Sequence, residues 1–269
     1  MQLLMGFLIA VFISSLAYRA DSLNKSGAFA ATVMGTIIFG VGGWQWAILL
    51  ITFFITSSAL SRAFKDRKLG LNEKFSKGHS RDAGQVFGNG GVATLFVLIH
   101  AIYPESTLSW VGFAASLAAV NADTWATELG ILNPTPPRII TDLRKRVEKG
   151  TSGGVSLFGT LASLLGSSVI AFLAVLLSPV DNMLNTNYFL IITVVGVIGS
   201  LFDSFLGATV QAMYFCPRDN KETEKHPLHT CGEETIHIRG WRWLNNDLVN
   251  FACAMFGVLV AFMIYFPSL

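Results

Sequence analysis

The chain has 269 residues, of which 52% are hydrophobic and only 13% charged, about half the charged share of an ordinary soluble domain. That balance excludes a soluble globule, and the net charge of +2 says little until the charges are placed along the chain. Three cysteines, Cys216, Cys231 and Cys253, are too few and too scattered for a disulfide scaffold.

Several apolar runs approach or exceed the roughly 20 residues that a helix needs to cross a bilayer. They are continuous and lack the two-residue alternation of barrel strands, so the expectation is an all-α polytopic bundle of about eight spans, one integral membrane domain over 1–269. Span one covers 1–17; it has neither the basic start nor the cleavage site of a signal peptide. A polar turn with Arg19, Asp21 and Lys25 leads to span two, 27–41, which is short and broken by Gly42-Gly43. Span three, 44–60, opens on Trp44 and Trp46, placed like interfacial anchors. A basic loop from Arg62 to Arg81 precedes span four, 83–102, and a turn without basic residues precedes span five, 110–129. The second basic loop, Asn133 to Ser152, enters span six, 155–177. Span seven is 188–214, and a third polar loop from Pro217 to Trp243 precedes span eight, 244–266.

Two basic residues follow span one, seven follow span three, and five each follow spans five and seven, together the whole Lys/Arg complement of 19. With eight spans every positive charge faces one side, which the positive-inside bias makes cytoplasmic. The expected protein is a multi-pass protein of the cell membrane with both termini on the opposite face.

Ionisable residues inside spans are costly and mark function by default, which singles out Asp123, Glu128 and Asp203. In Asn121-Ala-Asp-Thr-Trp-Ala-Thr-Glu128, Asp123 and Thr127 lie one helical turn apart, as do Thr124 and Glu128. The bland reading of Glu128 is a helix-end acid turning to water. In span seven, Gly199, Asp203 and Gly207 recur every four residues beside Ser200 and Ser204, a small-residue face that lets another helix approach. Asp123 and Asp203 from different helices suit Mg²⁺, which takes one or two carboxylates together with water and phosphate. A proton-sharing pair that glues helices is the structural alternative.

Ahead of span six, Arg144-Lys-Arg-Val-Glu-Lys-Gly-Thr-Ser-Gly-Gly154 places glycines, hydroxyls and cations before a helix N-terminus, an arrangement that binds phosphate. It is not a Walker loop, because Lys149 precedes the glycines. Asp82, Gln85 and Asn89 can share one face at the start of span four, where Lys77 and Arg81 could pair with phosphates. Asn246, Asp247 and Asn250 enter span eight and either complete a polar pocket or cap the helix. Cys216, His226, His229, Cys231 and His237 could supply a Cys2His2 zinc site, although their spacing is irregular.

The motifs Gly-Asn-Gly (88–90), Asn121 to Glu128, Gly150-Thr-Ser-Gly-Gly-Val155, Gly199-Ser-Leu-Phe-Asp-Ser204 and Asn245-Asn-Asp-Leu-Val-Asn250 together identify a resemblance. The chain resembles, over nearly its whole length, the integral membrane family that includes the plant and cyanobacterial phytyl-phosphate kinases. The family's Asp-Asn-Asp before the last span is Asn245-Asn246-Asp247 here. Its middle is more remotely similar to the CTP-dependent dolichol kinases and to phosphatidate cytidylyltransferases. The resemblance implies Mg²⁺-dependent transfer of a phosphoryl group from a nucleoside triphosphate, CTP before ATP, to an isoprenoid monophosphate such as phytyl phosphate.

On that reading Asp123, Glu128 and Asp203 hold or support metal, and Arg146, Lys149, Thr151, Ser152, Gly153 and Gly154 cradle nucleotide phosphates. Arg81 meets the lipid phosphate, Asp82 sits beside it, and Asn89, Asn246 and Asp247 complete the pocket. No nucleic-acid partner is expected. A lipid-phosphate cytidylyltransferase would use the same groups, and a cation-coupled transporter would also need buried Asp123 and Asp203. A transporter should offer access from both sides, whereas these polar residues gather at one end of the spans and no repeated halves are visible.

Overall fold

The structure is a computed structural model that describes residues 1–64, 74, 77, 80–179 and 186–265. Phe266, the expected end of span eight, and most of the 62–81 loop lie outside the described residues. Among the described residues eight α-helices run in chain order: α1 (Gln2–Arg19), α2 (Lys25–Ile37), α3 (Trp44–Ala63), α4 (Ala83–Ile102), α5 (Thr107–Gly130), α6 (Leu157–Leu176), α7 (Thr186–Thr209) and α8 (Asn246–Tyr265). A π-helical turn, Ile38–Gly42, extends α2. Gly43, at φ +92°, then reverses the chain straight into α3, a backbone position that a side chain would strain.

Seven of these helices are long and apolar enough to cross a membrane, and α5 is not among them. The reason lies in its surroundings. Every residue of α5 from Ser109 to Ala122 is buried, enclosed by α3, α4, α6, α7 and α8. A helix with no lipid-facing side needs small residues for packing rather than high hydropathy, and this stretch is dominated by Ala, Gly and Ser. Trp110 and Phe113 fill its outer end against Trp46, with ring centroids 4.9 and 4.7 Å away. By contrast, α1 and α6 carry exposed Leu and Phe along their outer faces, including Leu4, Phe12, Leu161 and Leu165, as lipid-facing helices should.

Span seven differs from expectation at its end. The helix stops at Thr209, and Met213–Cys216 is a strand, the first sign of structure in loops that the sequence left featureless. Among the described residues six short strands form two antiparallel sheets. In the first, β1 (Arg138–Ile139) lies between β2 (Asp142–Arg146) and β3 (Gly154–Val155). In the second, β4 (Met213–Cys216) lies between β5 (Lys221–Thr223) and β6 (Ile236–Arg239).

Helix contacts are close where glycine replaces a side chain. A Cβ on Gly196 of α7 would overlap Ser167 Oγ and lie 3.0 Å from the Ala118 carbonyl carbon, so α5, α6 and α7 meet at this point. Gly196→Val is therefore expected to overpack the junction at a cost of about 1–3 kcal/mol. Thermal unfolding of the detergent-solubilised protein should show a lowered midpoint, and an unchanged midpoint would contradict this packing.

Candidate functional site

All four basic connections converge on one end of the bundle. Arg62, at the end of α3, donates through Nη2 to the Ala20 carbonyl after α1. Leu23 bridges Arg81, with backbone hydrogen bonds from Asn24 to Arg81 and from Arg81 to Ser22, each 3.0 Å. Lys74 joins the other two connections. Its ammonium reaches Glu148 Oε2 at 2.7 Å and the Lys149 carbonyl at 3.3 Å, while its carbonyl accepts the Glu224 N–H at 2.8 Å. The Lys74 cation holds the Glu148 carboxyl below its ordinary range.

These connections roof a polar cavity of about 410 Å³ over the inner ends of α5 and α7. Asp123 and Glu128 of α5 and Asp203 of α7 line it, opposite Arg81 and the Lys149–Gly154 loop. Ser200 Oγ donates to Asp123 Oδ1 at 3.4 Å, and Asp203 Oδ2 is buried with no hydrogen-bond partner among the described residues. Two half-buried acids lining one cavity, with a buried carboxylate oxygen among them, make a donor set that suits a hard divalent cation. Ser61 of α3 donates to Glu128 Oε1.

The loop before α6 is held over Asp203 by close packing on α7. A Cβ on Gly207 would lie 2.5 Å from Ser152 Oγ and 3.0 Å from Gly153 N. Gly153 itself has φ +84°, and a Cβ there would lie 2.5 Å from Ala208 Cβ. Ser152 Oγ donates to Gln211 Oε1 at 3.0 Å, and Gln211 Nε2 donates to Glu224 Oε1 at 2.9 Å. This chain fastens the glycine loop to the end of β5. Ser156 caps α6, its Oγ accepting the Gly159 N–H at 3.1 Å, so the loop enters a helix N-terminus whose partial charge is positive.

Arg81 stands where two cavities meet. Burial pushes its guanidinium down to about 10, against the opposing pull of the Glu128 charge, and it lies 5.8 and 5.6 Å from the Phe53 and Phe54 ring centroids. Together with Gln85 and Asn89 it lines the polar cavity and also an apolar cleft of about 110 Å³. That cleft runs between α1, α2, α3 and α4, walled by side chains such as Ile13, Met34, Phe39 and Leu50. A polar chamber thus opens beside an apolar slot, with a cation at the junction.

Of the residues expected from sequence, Asp123, Glu128, Asp203, Arg81, Asn89, Lys149, Thr151, Ser152, Gly153, Gly154 and Asn246 line the polar cavity. Asp82, Arg146 and Asp247 are not among its lining residues. Asp82 is the N-cap of α4 in a reciprocal capping box with Gln85, and Asp247 pairs with Lys77. Arg146 lies on the exposed strand β2. Asn245 caps α8, its Oδ1 accepting the Leu248 N–H at 3.1 Å. The sequence reading missed Ser61, Ser163, Glu224 and Lys225, all of which line the cavity. Polar residues in a long basic loop carry no signal of which ones fold back over the site.

The model of the family described as "Integral membrane protein DUF92" matches residues 8–258. Protein PGR of Arabidopsis thaliana is 34% identical over 268 residues, 91% of each chain. An uncharacterized membrane protein of Methanocaldococcus jannaschii is 33% identical over 212 residues, 77% of this chain and 82% of its own. Protein VTE6, chloroplastic, of Arabidopsis thaliana is 26% identical over 261 residues, 95% of this chain and 69% of its own. No solved structure matches.

The Lys77 clamp beside the cavity yields a pH-dependent prediction. Lys77 Nζ lies 2.8 Å from Asp82 Oδ2 and also pairs with Asp247, joining the start of α4 to the start of α8. Burial raises the Asp82 carboxyl, but the Lys77 contact and the α4 backbone outweigh it and leave it below 3.8. For Lys77 burial works downward, and the two carboxylates outweigh it to raise the ammonium above 10.5. The stabilisation from Asp82 is thus lost as pH falls below 3.8, and that from Lys77 as pH rises above 10.5. Lys77→Met is expected to cost about 0.5–1 kcal/mol between those limits, the range for partly exposed pairs. Unfolding midpoints across pH test this; a penalty undiminished well below pH 3.8 would refute it.

Proposed function

As this chain belongs to the DUF92 family of integral membrane proteins, we propose that it transfers the terminal phosphoryl group of a nucleoside triphosphate, CTP before ATP, to an isoprenoid monophosphate such as phytyl phosphate. The observation that carries this reading is the shared wall of the two cavities. Arg81, Gln85 and Asn89 face a polar chamber on one side and an apolar slot on the other. A molecule with an anionic head and a long hydrocarbon tail matches that division, with its phosphate at Arg81 and its chain among α1 to α4.

Asp123 and Asp203 would hold Mg²⁺, whose charge would offset that of the phosphates. The hydroxyl of Thr151 and the backbone of Gly150–Gly154 would face the nucleotide phosphates, with Ser152 tying the loop to Gln211 and Lys149 at the rim. Lys149 Nζ donates to the Ile131 carbonyl at 2.8 Å, which anchors the ammonium and leaves its other protons for an incoming phosphate. Glu128 holds Ser61 and faces Arg81, so its charge keeps the guanidinium cationic at the junction.

In the reaction an oxygen of the lipid phosphate attacks the terminal phosphorus, and the bond from that phosphorus to the bridging oxygen breaks. The products are the lipid diphosphate and a nucleoside diphosphate. The acceptor oxygen is already ionised near neutral pH, so no side chain needs to remove a proton. Alignment and charge neutralisation carry the step, as is general for phosphoryl transfer. The basic end faces the cytoplasm on this reading, where nucleotide is available.

Purified protein supplied with Mg²⁺, phytyl phosphate and either CTP or ATP should form the diphosphate. Asp123→Asn and Asp203→Asn should each lower turnover at least about 100-fold, the usual scale for losing a charge that stabilises the transition state, while the protein remains folded. Arg81→Met should chiefly raise KM for the lipid phosphate. Product mass decides the chemistry. A nucleotidyl lipid with released pyrophosphate would replace the kinase reading, and no product with any nucleotide or prenyl acceptor would end it.

A further inference from the structure

The connection between α7 and α8 holds a second constellation, apart from the carboxylate cavity. Cys216 ends β4, and the turn Cys216-Pro-Arg-Asp219 closes with Asn220 at φ +52°. Across from it, His229-Thr-Cys231 forms a tight bend in which the Gly232 N–H bonds the His229 carbonyl at 2.9 Å. The two turns bring four donor atoms together. Cys216 Sγ lies 3.5 Å from Cys231 Sγ, His229 Nδ1 lies 3.4 Å from Cys231 Sγ, and His229 Nδ1 lies 3.0 Å from Asp219 Oδ2. All four atoms fall within 4.8 Å of one another.

These separations have a geometric meaning. A tetrahedron drawn with metal bonds of about 2.0–2.3 Å, the lengths for zinc with nitrogen, oxygen and sulfur, has edges of roughly 3.3–3.8 Å. The three separations given, 3.0–3.5 Å, stand near those edges. Cys216 and the His229 ring are fully buried, and Asp219 and Cys231 are half-buried. The Asp219 N–H also points to Cys216 Sγ at 3.5 Å.

We propose that Cys216, Asp219, His229 and Cys231 form a closed, structural zinc site. Two thiolates, one imidazole and one carboxylate are a borderline-soft set that suits zinc and excludes magnesium or calcium. The membership differs from the Cys2His2 combination suggested by sequence. His226 and His237 turn away to pack on Tyr214, with ring centroids 4.5 and 5.4 Å from it, and Asp219 takes the fourth position. The zinc fastens the far end of β4 to the 229–231 bend. Between them runs β5, whose Thr223 is followed by Glu224 at the polar cavity. The ion therefore braces the wall of that cavity without touching what binds there.

The whole protein, purified in detergent without chelator, should carry about one zinc per chain by elemental analysis. Cys216→Ser, Cys231→Ser and His229→Ala should each reduce it by at least fivefold, whereas His226→Ala and His237→Ala should retain it. Should the first set fail to fold, the unmodified protein still decides. Cobalt exchanged for zinc should give the intense near-ultraviolet band of cobalt–thiolate bonding, and Cys216 and Cys231 should resist alkylation until a chelator is added. Protein that holds neither zinc nor cobalt, two thiols that alkylate at once, or a Cys216–Cys231 disulfide in fresh preparations would each overturn the proposal. None of these readouts depends on catalysis.

Discussion

A helix surrounded by five others has little room for large side chains over most of its length, and α5 meets that constraint by being mostly Ala, Gly and Ser between Ser109 and Ala122. Its neighbours must then approach closely, which they do through small residues of their own, such as Gly166 against Trp125 and Gly199 against Ala119. Because α5 is gripped along its length, its inner end is positioned to within the tolerance of that packing. Asp123 and Glu128 stand at this end. Close helix contact and the placement of the acids are thus one property, since a residue too large at Gly199 or Gly196 would shift α7 and Asp203 relative to α5.

The basic end is built differently. Short strands and single side chains tie its loops together, with Lys74, in the connection before α4, linked to the connections after α5 and after α7. Backbone polar groups here lie beyond the hydrocarbon, where strands of two to five residues are tolerated because water can satisfy their free edges. The result is a roof that can bear polar and charged groups over carboxylates held by the rigid bundle. Among the described residues, the apolar cleft among α1 to α4 meets this roofed chamber at Arg81, Gln85 and Asn89, so a headgroup and a hydrocarbon chain have separate places with a common boundary.

Much of this was legible from the sequence because membrane helices announce themselves by length and apolarity. Span four matches α4 at both ends, and Gly42-Gly43 ends the second helical segment as expected. Span seven ran too far, because Met213-Tyr-Phe-Cys216 is as apolar as a helix end, and its strand partners lie 5 to 26 residues away, beyond any local pattern. The acids inside spans were recognisable because burial of charge needs a reason. Asp82 and Asp247 were not separable from them by type alone: an acid beside a helix start can cap the helix, pair with a lysine or face a ligand, and only the neighbours across space differ.

The sequence alone determined that this is a multi-span helical membrane protein, that its 19 basic residues fall in the connections between apolar runs, and that Asp123, Glu128 and Asp203 are its exceptional acids. Those conclusions follow from the cost of moving polar groups into hydrocarbon, which acts on each segment separately. The tertiary structure decided which polar residues meet. It selected Glu224 over Asp247 for the cavity wall, Asp219 over a second histidine beside Cys216, and Arg81 as the cation between chamber and cleft. Such choices depend on loops folding back across distances set by the whole bundle, and no stretch of the chain encodes them by itself.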